Sequence, residues 1–361
     1  MRSAAWAVID LGALAFNLQR VKDFSPDSKV MAVIKSNGYG HGICEVAGAL
    51  KEADAFAVAR VDEAIQLREA GFEQRITVLE GFSDADEFSL HQQFRLEPVI
   101  HTPQQTQLLE QNRNQTIAHC WLKVDTGMHR LGVEPEEFQH LYERLSHDSS
   151  VSVMTHLACA DEPDNPMTLQ QQKLFNEVTD NCMAEKSIAN SAAIMKWPAL
   201  QAEWVRPGIM LYGVSPFADK HGELLGLKPV MNLYSKLISI KSVKKGESVG
   251  YGGIYRCPND CRVGVVAIGY GDGYPRHVKS GSSVLVNGKR VRLIGRVSMD
   301  MVTIDLSELP EAEVGNTCTL WGEGLSVEEV AENADTIGYT LLCGVTKRVQ
   351  MIYMNKDQTQ E

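Results

Sequence analysis

The 361-residue sequence predicts an α/β fold, namely a closed (β/α)8 barrel of the TIM type over residues 1–230 and a mostly β domain over residues 231–361. In the first part, short apolar segments alternate with amphipathic segments, as in a parallel sheet with helical crossovers. The apolar segments number close to eight, which favours a closed barrel over an open sheet. In the second part, short strand-like segments are separated by turn signals, with few helical segments between them.

The elements follow from these patterns in chain order. Barrel strands are predicted at residues 30–34, 56–59, 76–79, 96–100, 119–124, 151–156 and 187–190, with helices at 61–70 and 84–91. In the second part, strands are predicted at residues 263–268, 283–286, 291–294, 302–304 and 318–321, with one helix at 326–334. Asn287-Gly288 between two apolar runs indicates a tight hairpin.

Composition limits the classes of partner. The net charge of −11 disfavours nucleic acid and anionic membranes as main partners. The sequence contains no apolar run near the ~20 residues of a transmembrane helix, and Asp10 interrupts the N-terminal segment too early for a secretory signal. Eight cysteines without a C-x-x-C pair predict reduced thiols in a cytoplasmic protein. Cys257 and Cys261 have no nearby His/Cys pair to complete a zinc site, so no metal centre is predicted.

One segment combines a buried strand with a lysine at its carboxyl end, residues 30–42 (VMAVIKSNGYGHG). Barrels and open parallel sheets place their chemistry at this end of the strands. Lys35 is therefore expected to be partly desolvated, which lowers the pKa of its amine and leaves a nucleophile able to form a Schiff base. Gly38, Gly40 and Gly42 allow a sharp turn and a close approach to a ligand. The alternative, from the residues alone, is a surface lysine before an ordinary turn.

The same segment resembles the cofactor-lysine motif of bacterial alanine racemases, A-x-x-K-[SA]-N-[AG]-Y-G-H-G, over more than eight positions. The resemblance implies a (β/α)8 barrel enzyme that uses pyridoxal 5'-phosphate. It further implies that Lys35 holds this cofactor as an internal aldimine and that Tyr39 belongs to the cofactor site.

A second segment, KVDTGMHRLG at residues 123–132, places a lysine at a strand end and an arginine beside a turn. A salt-bridged surface loop is the alternative from the residues alone. The segment resembles the racemase motif K-x-[DN]-[ST]-G-M-x-R-L-G, which implies that Arg130 hydrogen-bonds the phenolic oxygen of the cofactor and helps to bind the substrate carboxylate. A rigid bidentate guanidinium suits that role. Lys123 matches a lysine that is carbamylated in some members.

Two shorter segments follow predicted barrel strands. His156, in THLA, resembles the family's histidine that stacks on the pyridine ring. Asn190 and Ser191 form a small polar turn whose hydroxyl and backbone N–H groups could bind a phosphate.

The segment RPGIMLYG at residues 206–213 resembles the family pattern R-x-G-[IL]-x-[LM]-Y-G. The resemblance implies that Arg206 faces the pyridine nitrogen and that the backbone of Gly208 and Ile209 binds the phosphate. Arginine stays protonated, so it donates a hydrogen bond but does not readily transfer a proton. The implied cofactor is then a weaker electron sink, which disfavours transamination and other side reactions.

The predicted β domain carries aromatic and methionine side chains in turns. The segment VGYGGIY at residues 249–255 resembles [SG]-Y-G-x-x-Y, which implies that Tyr251, from the neighbouring subunit of a homodimer, is the second catalytic base. Tyr255 is the nearby competitor for that role, and a core-lining tyrosine at a hairpin is the alternative. Two further segments, 268–276 and 295–300, match family segments in which Tyr270, Met299 and Asp300 cross the dimer interface to shape the substrate site.

Gly338-Tyr339 aligns with the family tyrosine that bonds the cofactor phosphate, and the order of motifs is kept across residues 30–349. The resemblance implies a cytoplasmic, homodimeric member that interconverts L-alanine and D-alanine by two-base proton transfer at Cα and supplies D-alanine for peptidoglycan. A broad-specificity amino-acid racemase is the closest alternative. A decarboxylase of the same barrel type is another, although the H-G-G-G-type loop and the C-terminal Cys-Asp pair of those enzymes are missing. A pyridoxal-phosphate carrier and a cofactor-free binding barrel are the non-enzymatic alternatives.

Overall fold

The structure is a computed structural model that describes residues 4–112, 117–147 and 149–355. Its strands are β1 (Ala5–Asp10), β2 (Lys29–Val33), β3 (Ala55–Val58), β4 (Arg75–Val78), β5 (Glu97–Ile100), β6 (His119–Lys123), β7 (Ser150–Met154), β8 (Lys186–Asn190), β9 (Trp204–Arg206), β10 (Met231–Val243), β11 (Ser248–Val249), β12 (Tyr255–Arg256), β13 (Cys261–Val266), β14 (Ser283–Val286), β15 (Lys289–Leu293), β16 (Val302–Asp305), β17 (Thr317–Trp321) and β18 (Gln350–Met354). The α-helices with regular backbone are Leu11–Phe24, Ile43–Ala49, Val61–Glu69, Ala85–Gln93, Pro103–Gln111, Pro135–Leu145, Met167–Val178, Ser191–Lys196, Val327–Asn333 and Gly338–Gly344.

Strands β2 to β9 form a closed barrel in sequence order. Each strand pairs in parallel with the next, and β2 pairs in parallel with β9 to close the ring. This arrangement confirms the predicted fold class. The eighth strand, Trp204–Arg206, is missing from the predicted elements because three residues are too few to show a periodic pattern.

The N-terminal end of the barrel is closed by a buried polar and aromatic group. The carboxylate of Glu97 accepts hydrogen bonds from Arg75 Nε (2.5 Å) and from the indole Nε1 of Trp121 (3.3 Å). The rings of Trp121 and Trp204 meet edge to face with centroids 6.0 Å apart. A buried carboxylate is tolerated here because it is paired and hydrogen-bonded. The large cavity of the barrel lies at the opposite end of the strands.

The second part of the chain is an eight-stranded sheet in the order β13-β16-β15-β14-β17-β10-β1-β18. Strand β10 also pairs with β13, so six of the strands form a closed ring of pairings. The predicted hairpin at Asn287-Gly288 connects β14 and β15, with both residues at positive φ (47° and 79°). A two-residue turn of that kind requires positive φ at both positions.

The first strand departs from the predicted domain division. The sequence places residues 1–230 in the barrel, whereas β1 (Ala5–Asp10) pairs antiparallel with β10 and parallel with β18 in the second sheet. Both partners lie more than 200 residues away in the chain, so local sequence carries no signal of this pairing. The boundary near residue 230 otherwise remains a prediction.

One large hydrophobic core continues from the barrel into the second sheet. Among residues 4–112, 117–147 and 149–355, no helix combines the length and the apolar character that crossing a membrane requires.

Candidate active site

A cavity of about 1040 Å³ opens at the C-terminal end of the barrel strands, against the helix Gly338–Gly344. Eleven of the residues that the sequence selects line it together, namely Lys35, Tyr39, Lys123, Arg130, His156, Asn190, Ser191, Arg206, Gly208, Ile209 and Tyr339. These residues come from the carboxyl ends of five different strands, or the loops after them, and from one helix of the second part. The main property of the site is that residues from separate parts of the chain line one cavity.

Lys35 lies just beyond β2, and its side chain is only partly exposed. Burial and then the nearby charge of Arg130 lower the pKa of its amine, as expected from its place at the strand end. A lysine with a lowered pKa has more of the free amine that acts as nucleophile or base.

The turn after Lys35 has an unusual backbone. Ser36, Asn37, Gly38 and Tyr39 all have φ between 52° and 62°, which makes a short left-handed helical turn. This conformation costs roughly 1–2 kcal/mol for each residue with a Cβ, so other contacts must hold it. The ring nitrogen Nδ1 of buried His41 lies 3.0 and 2.9 Å from the carbonyl oxygens of Gly38 and Tyr39. The turn directs Lys35 and Tyr39 into the same cavity.

Lys123 ends β6 and is buried. Burial and then the charges of Arg206 and Arg130 lower the pKa of its amine to about 8. Arg130 follows on a loop that Asp125 shapes, because its carboxylate accepts from the backbone N–H groups of Gly127 (2.8 Å) and His129 (3.1 Å). The loop therefore places the guanidinium of Arg130 near a buried lysine whose charged form is disfavoured.

Arg206 is buried at the end of β9. Its guanidinium donates to Ser187 Oγ (2.5 Å) and to the carbonyl oxygens of Thr155 (2.5 Å) and Ile188 (3.3 Å). Burial lowers its pKa to about 10, which still leaves it charged at neutral pH. Burial and then Arg206 hold the pKa of His156 well below its usual value, so this imidazole is neutral. A fixed cation thus stands beside a neutral aromatic ring.

One end of the cavity is shaped to accept a compact polar group. A Cβ on Gly208 would lie 2.6 Å from the hydroxyl oxygen of Tyr39, so only glycine fits there. The backbone N–H of Gly208 donates to Ser191 Oγ (2.9 Å), which joins the loops after β8 and β9. Burial raises the pKa values of Tyr39 and Tyr339, whose rings are 5.9 Å apart, so both phenols remain hydrogen-bond donors. Asn190 caps the helix that begins at Ser191.

Four residues selected from the β domain, namely Tyr251, Tyr270, Met299 and Asp300, do not line this cavity, unlike Tyr339. Tyr251 is 70% exposed, Met299 is 53% exposed, and Tyr270 and Asp300 are also on the surface. Two of their loops are joined, because Tyr270 N donates to the carbonyl oxygen of Ser298 (3.1 Å). Within one chain, these residues form an exposed surface rather than a wall of the cavity.

Three residues near Lys35 are absent from the sequence-based selection. His101 and Cys343 line the cavity, and the carboxylate of Glu63 binds the backbone next to Lys35. His101 directly follows β5, so the strand-end rule that selects Lys35 also selects it. Glu63 is the third residue of the helix Val61–Glu69, a position where a capping glutamate is common. Its second contact, with the backbone next to Lys35, cannot be read from the sequence.

Comparison with known proteins gives a consistent result along the whole chain. Two family profiles match, "Alanine racemase, N-terminal domain" over residues 9–216 and "Alanine racemase, C-terminal domain" over residues 230–353. An alanine racemase of Vibrio cholerae is 50% identical over 354 residues, covering 97% of this chain and 98% of the relative.

Solved structures agree. The biosynthetic alanine racemase of Pseudomonas aeruginosa has a TM-score of 0.95 at 45% identity, over 98% of this chain and all of that one. An alanine racemase of Bartonella henselae with covalently bound pyridoxal phosphate has a TM-score of 0.89 at 29% identity, over 97% and 99% of the two chains.

Proposed function

The chain belongs to the alanine racemase family of isomerases, and from that premise we propose that it interconverts L-alanine and D-alanine with pyridoxal 5'-phosphate as its cofactor. We further propose that it acts as a cytoplasmic homodimer and supplies D-alanine for peptidoglycan. The observation that supports the proposal most strongly is the single cavity into which eleven separately selected residues converge.

The chemistry of the cavity fits pyridoxal phosphate. Four cationic side chains, Lys35, Lys123, Arg130 and Arg206, line it and suit the charge of a phosphate ester. In this proposal Lys35 carries the cofactor covalently, as in the Bartonella henselae relative whose cofactor is covalently bound. When bound, pyridoxal phosphate draws electron density from Cα of the attached amino acid and so acidifies its α-proton.

The narrow end of the cavity would hold the phosphate. Gly208 leaves room for the hydroxyl of Tyr39 to approach, and Ser191 and Ile209 line the same cavity. Tyr39 and Tyr339 keep their phenolic protons and can donate hydrogen bonds to phosphate oxygens.

Racemisation at Cα needs two groups that exchange a proton on opposite faces of the same carbon. Lys35, with its lowered pKa, would move the proton on the face of D-alanine. Tyr251 would move it on the face of L-alanine, and it would come from the partner subunit because it lies on the surface of its own chain. Met299, Tyr270 and Asp300 would enter the same site from the partner.

The remaining barrel residues would orient the reactants. Arg130 would bind the substrate carboxylate through its bidentate guanidinium. His156, which is neutral, would pack against the face of the cofactor ring. Arg206 would donate a hydrogen bond to the pyridine nitrogen of that ring without transferring a proton. Lys123 would brace Arg130, as a carbamate if its amine, whose pKa burial lowers to about 8, takes up carbon dioxide.

The direct test is to incubate the purified, cofactor-loaded protein with L-alanine in D₂O and to follow optical rotation and the α-proton resonance together. Loss of both signals, from either enantiomer, is the expected result. Loss of the α-proton with rotation retained would mean proton exchange on one face without racemisation, and would contradict both the two-base and the racemase assignments. Retention of both signals would contradict the racemase assignment itself. Serine and larger amino acids, offered in parallel, separate a strict alanine racemase from a broad-specificity one.

A further inference from the structure

The carboxylate of Glu63 connects two neighbouring loops at the catalytic end of the barrel. One oxygen accepts from the backbone N–H groups of Ser36 (2.5 Å) and Asn37 (3.3 Å), which follow Lys35 directly. The other oxygen accepts from the backbone N–H groups of Ala59 (2.9 Å) and Arg60 (3.4 Å), which precede its own helix. Glu63 therefore binds four backbone donors with two oxygens, in the loops after β2 and β3.

The N–H groups that Glu63 binds belong to the left-handed turn. Ser36 and Asn37 have φ values of 54°, a region that residues with a Cβ avoid. Charge-assisted hydrogen bonds to the first two N–H groups of this turn offset part of its strain. The turn in turn sets the direction of Lys35, which immediately precedes it. The same carboxylate also acts on the amine electrostatically, because Glu63 raises the pKa of Lys35 against the lowering by burial and Arg130.

Two other barrel helices show what is special about Glu63. Glu87 and Gln105 occupy the same third position of their helices and also cap them. Glu87 accepts from Ser83 N (2.8 Å) and Gln105 accepts from His101 N (2.8 Å), so each holds the loop before its own helix through one oxygen. The side-chain amide of Gln105 also donates to the carbonyl oxygen of Phe82 (2.9 Å), in the loop after β4. A glutamine is thus sufficient for local capping in this barrel. Gln105 can bind its neighbouring loop through an amide N–H because that loop presents a carbonyl oxygen, whereas the loop after β2 presents two N–H groups to Glu63 and so requires a second acceptor oxygen.

We propose that Glu63 is a positioning residue that holds the left-handed turn of residues 36–39 and thereby the direction of the Lys35 side chain. This inference rests on the proposed function, since it concerns the alignment of Lys35 with the α-proton. Glu63 does not line the cavity, so it acts from outside, through the backbone of the turn and through the charge of its carboxylate.

The test compares Glu63→Gln with the matched control Glu87→Gln in the full-length protein. Glutamine keeps one acceptor oxygen, so both variants retain a capped helix, as Gln105 does naturally. Only Glu63→Gln loses the second contact. We expect Glu63→Gln to lower kcat for alanine by about tenfold or more with KM within about threefold of the parent, because the proton-transfer group and not the carboxylate binder is displaced. Glu87→Gln is expected to leave both constants unchanged.

A second measurement does not depend on turnover. In the cofactor-free protein, hydrogen exchange at the amides of Ser36 and Asn37 is expected to be about tenfold or more faster in Glu63→Gln than in the parent, with unchanged exchange in Glu87→Gln. If Glu63→Gln does not fold, Glu63→Asp gives the same comparison, since its carboxylate is one methylene too short to reach both loops.

The outcomes separate the two proposals. Unchanged exchange at Ser36 and Asn37, or an equal loss of kcat in Glu87→Gln, would overturn the role of Glu63. Faster exchange at these two amides in a protein whose parent does not racemise alanine would overturn the proposed function and leave the hold of Glu63 on the turn in place.

Discussion

The site residues of the barrel line a cavity within one chain, whereas those on the exposed surface of the β domain stand outside it. In the cavity, Lys123 and Arg206 are buried, and Arg206 is held by hydrogen bonds to Ser187 and Thr155. On the β domain, Tyr251 and Met299 are mostly exposed and stand outside the cavity. Exposed aromatic and methionine side chains in one region are typical of a surface that another protein covers. The difference fits the proposed homodimer, in which one chain would supply a preformed binding half and its partner the exposed half.

Replacing Lys35 should have the largest effect, because in the proposed function this residue both holds the cofactor and moves the α-proton. In Lys35→Ala we expect loss of covalently attached pyridoxal phosphate and a fall in turnover of at least about 10⁴-fold. The measurements are the visible absorbance of the protein after gel filtration and alanine racemisation. A yellow, active Lys35→Ala protein would contradict the role of this lysine. Lys51→Ala, at an exposed lysine, is the control.

Tyr251→Phe should impair turnover without releasing the cofactor, which distinguishes the exposed surface of the β domain from the cavity. The cofactor should stay bound, because Tyr251 lies outside the cavity of its own chain, while turnover should fall about 10²–10³-fold and most from L-alanine. The unfolding temperature should not change, since the hydroxyl is exposed in the single chain. Tyr255→Phe is the matched control, four residues away. Full activity of Tyr251→Phe together with inactive Tyr255→Phe would transfer the role to Tyr255.

Lys123→Met tests the burial of charge in the binding half. The folded pKa of about 8 lies below the ordinary value of 10.5, so the charged form destabilises the folded protein below pH 8, and this cost disappears as the pH rises to 10.5. In cofactor-free protein we expect Lys123→Met to raise the free energy of unfolding by roughly 2–3 kcal/mol at pH 7. The gain should vanish between pH 8 and 10.5.

The measurement is the free energy of unfolding by denaturant, determined across this pH range. Lys173→Met, at an exposed lysine, is expected to change the free energy of unfolding by less than about 0.5 kcal/mol. A carbamylated Lys123 would be negatively charged beside Arg130 and Arg206, so the methionine variant would then be less stable than the parent at pH 7.

The sequence predicts the two halves to different degrees. Lys35 and Arg206 stand at strand ends in long motifs, so both the fold and the cavity follow from local patterns and from the resemblance. Strand β1 cannot be predicted in this way, because its pairing partners are distant in the chain. The contact of Glu63 with Ser36 cannot be predicted either, because the two residues lie in loops after different strands. In the proposed homodimer the position of Tyr251 relative to the cavity would depend on a second chain, about which a single sequence carries only what the resemblance implies.

The central claim, that each complete site combines the cavity of one chain with Tyr251 of another, is tested by complementation. Lys35→Ala and Tyr251→Phe proteins are mixed in equal amounts, dissociated, reassociated with pyridoxal phosphate and assayed with L-alanine. Half of the dimers are then mixed, and each mixed dimer has one site with both parent residues, so about a quarter of the parent activity should return. If Lys35 and Tyr251 act within the same chain, every site keeps one defect. The mixture would then stay as inactive as its two components, which would contradict the shared site.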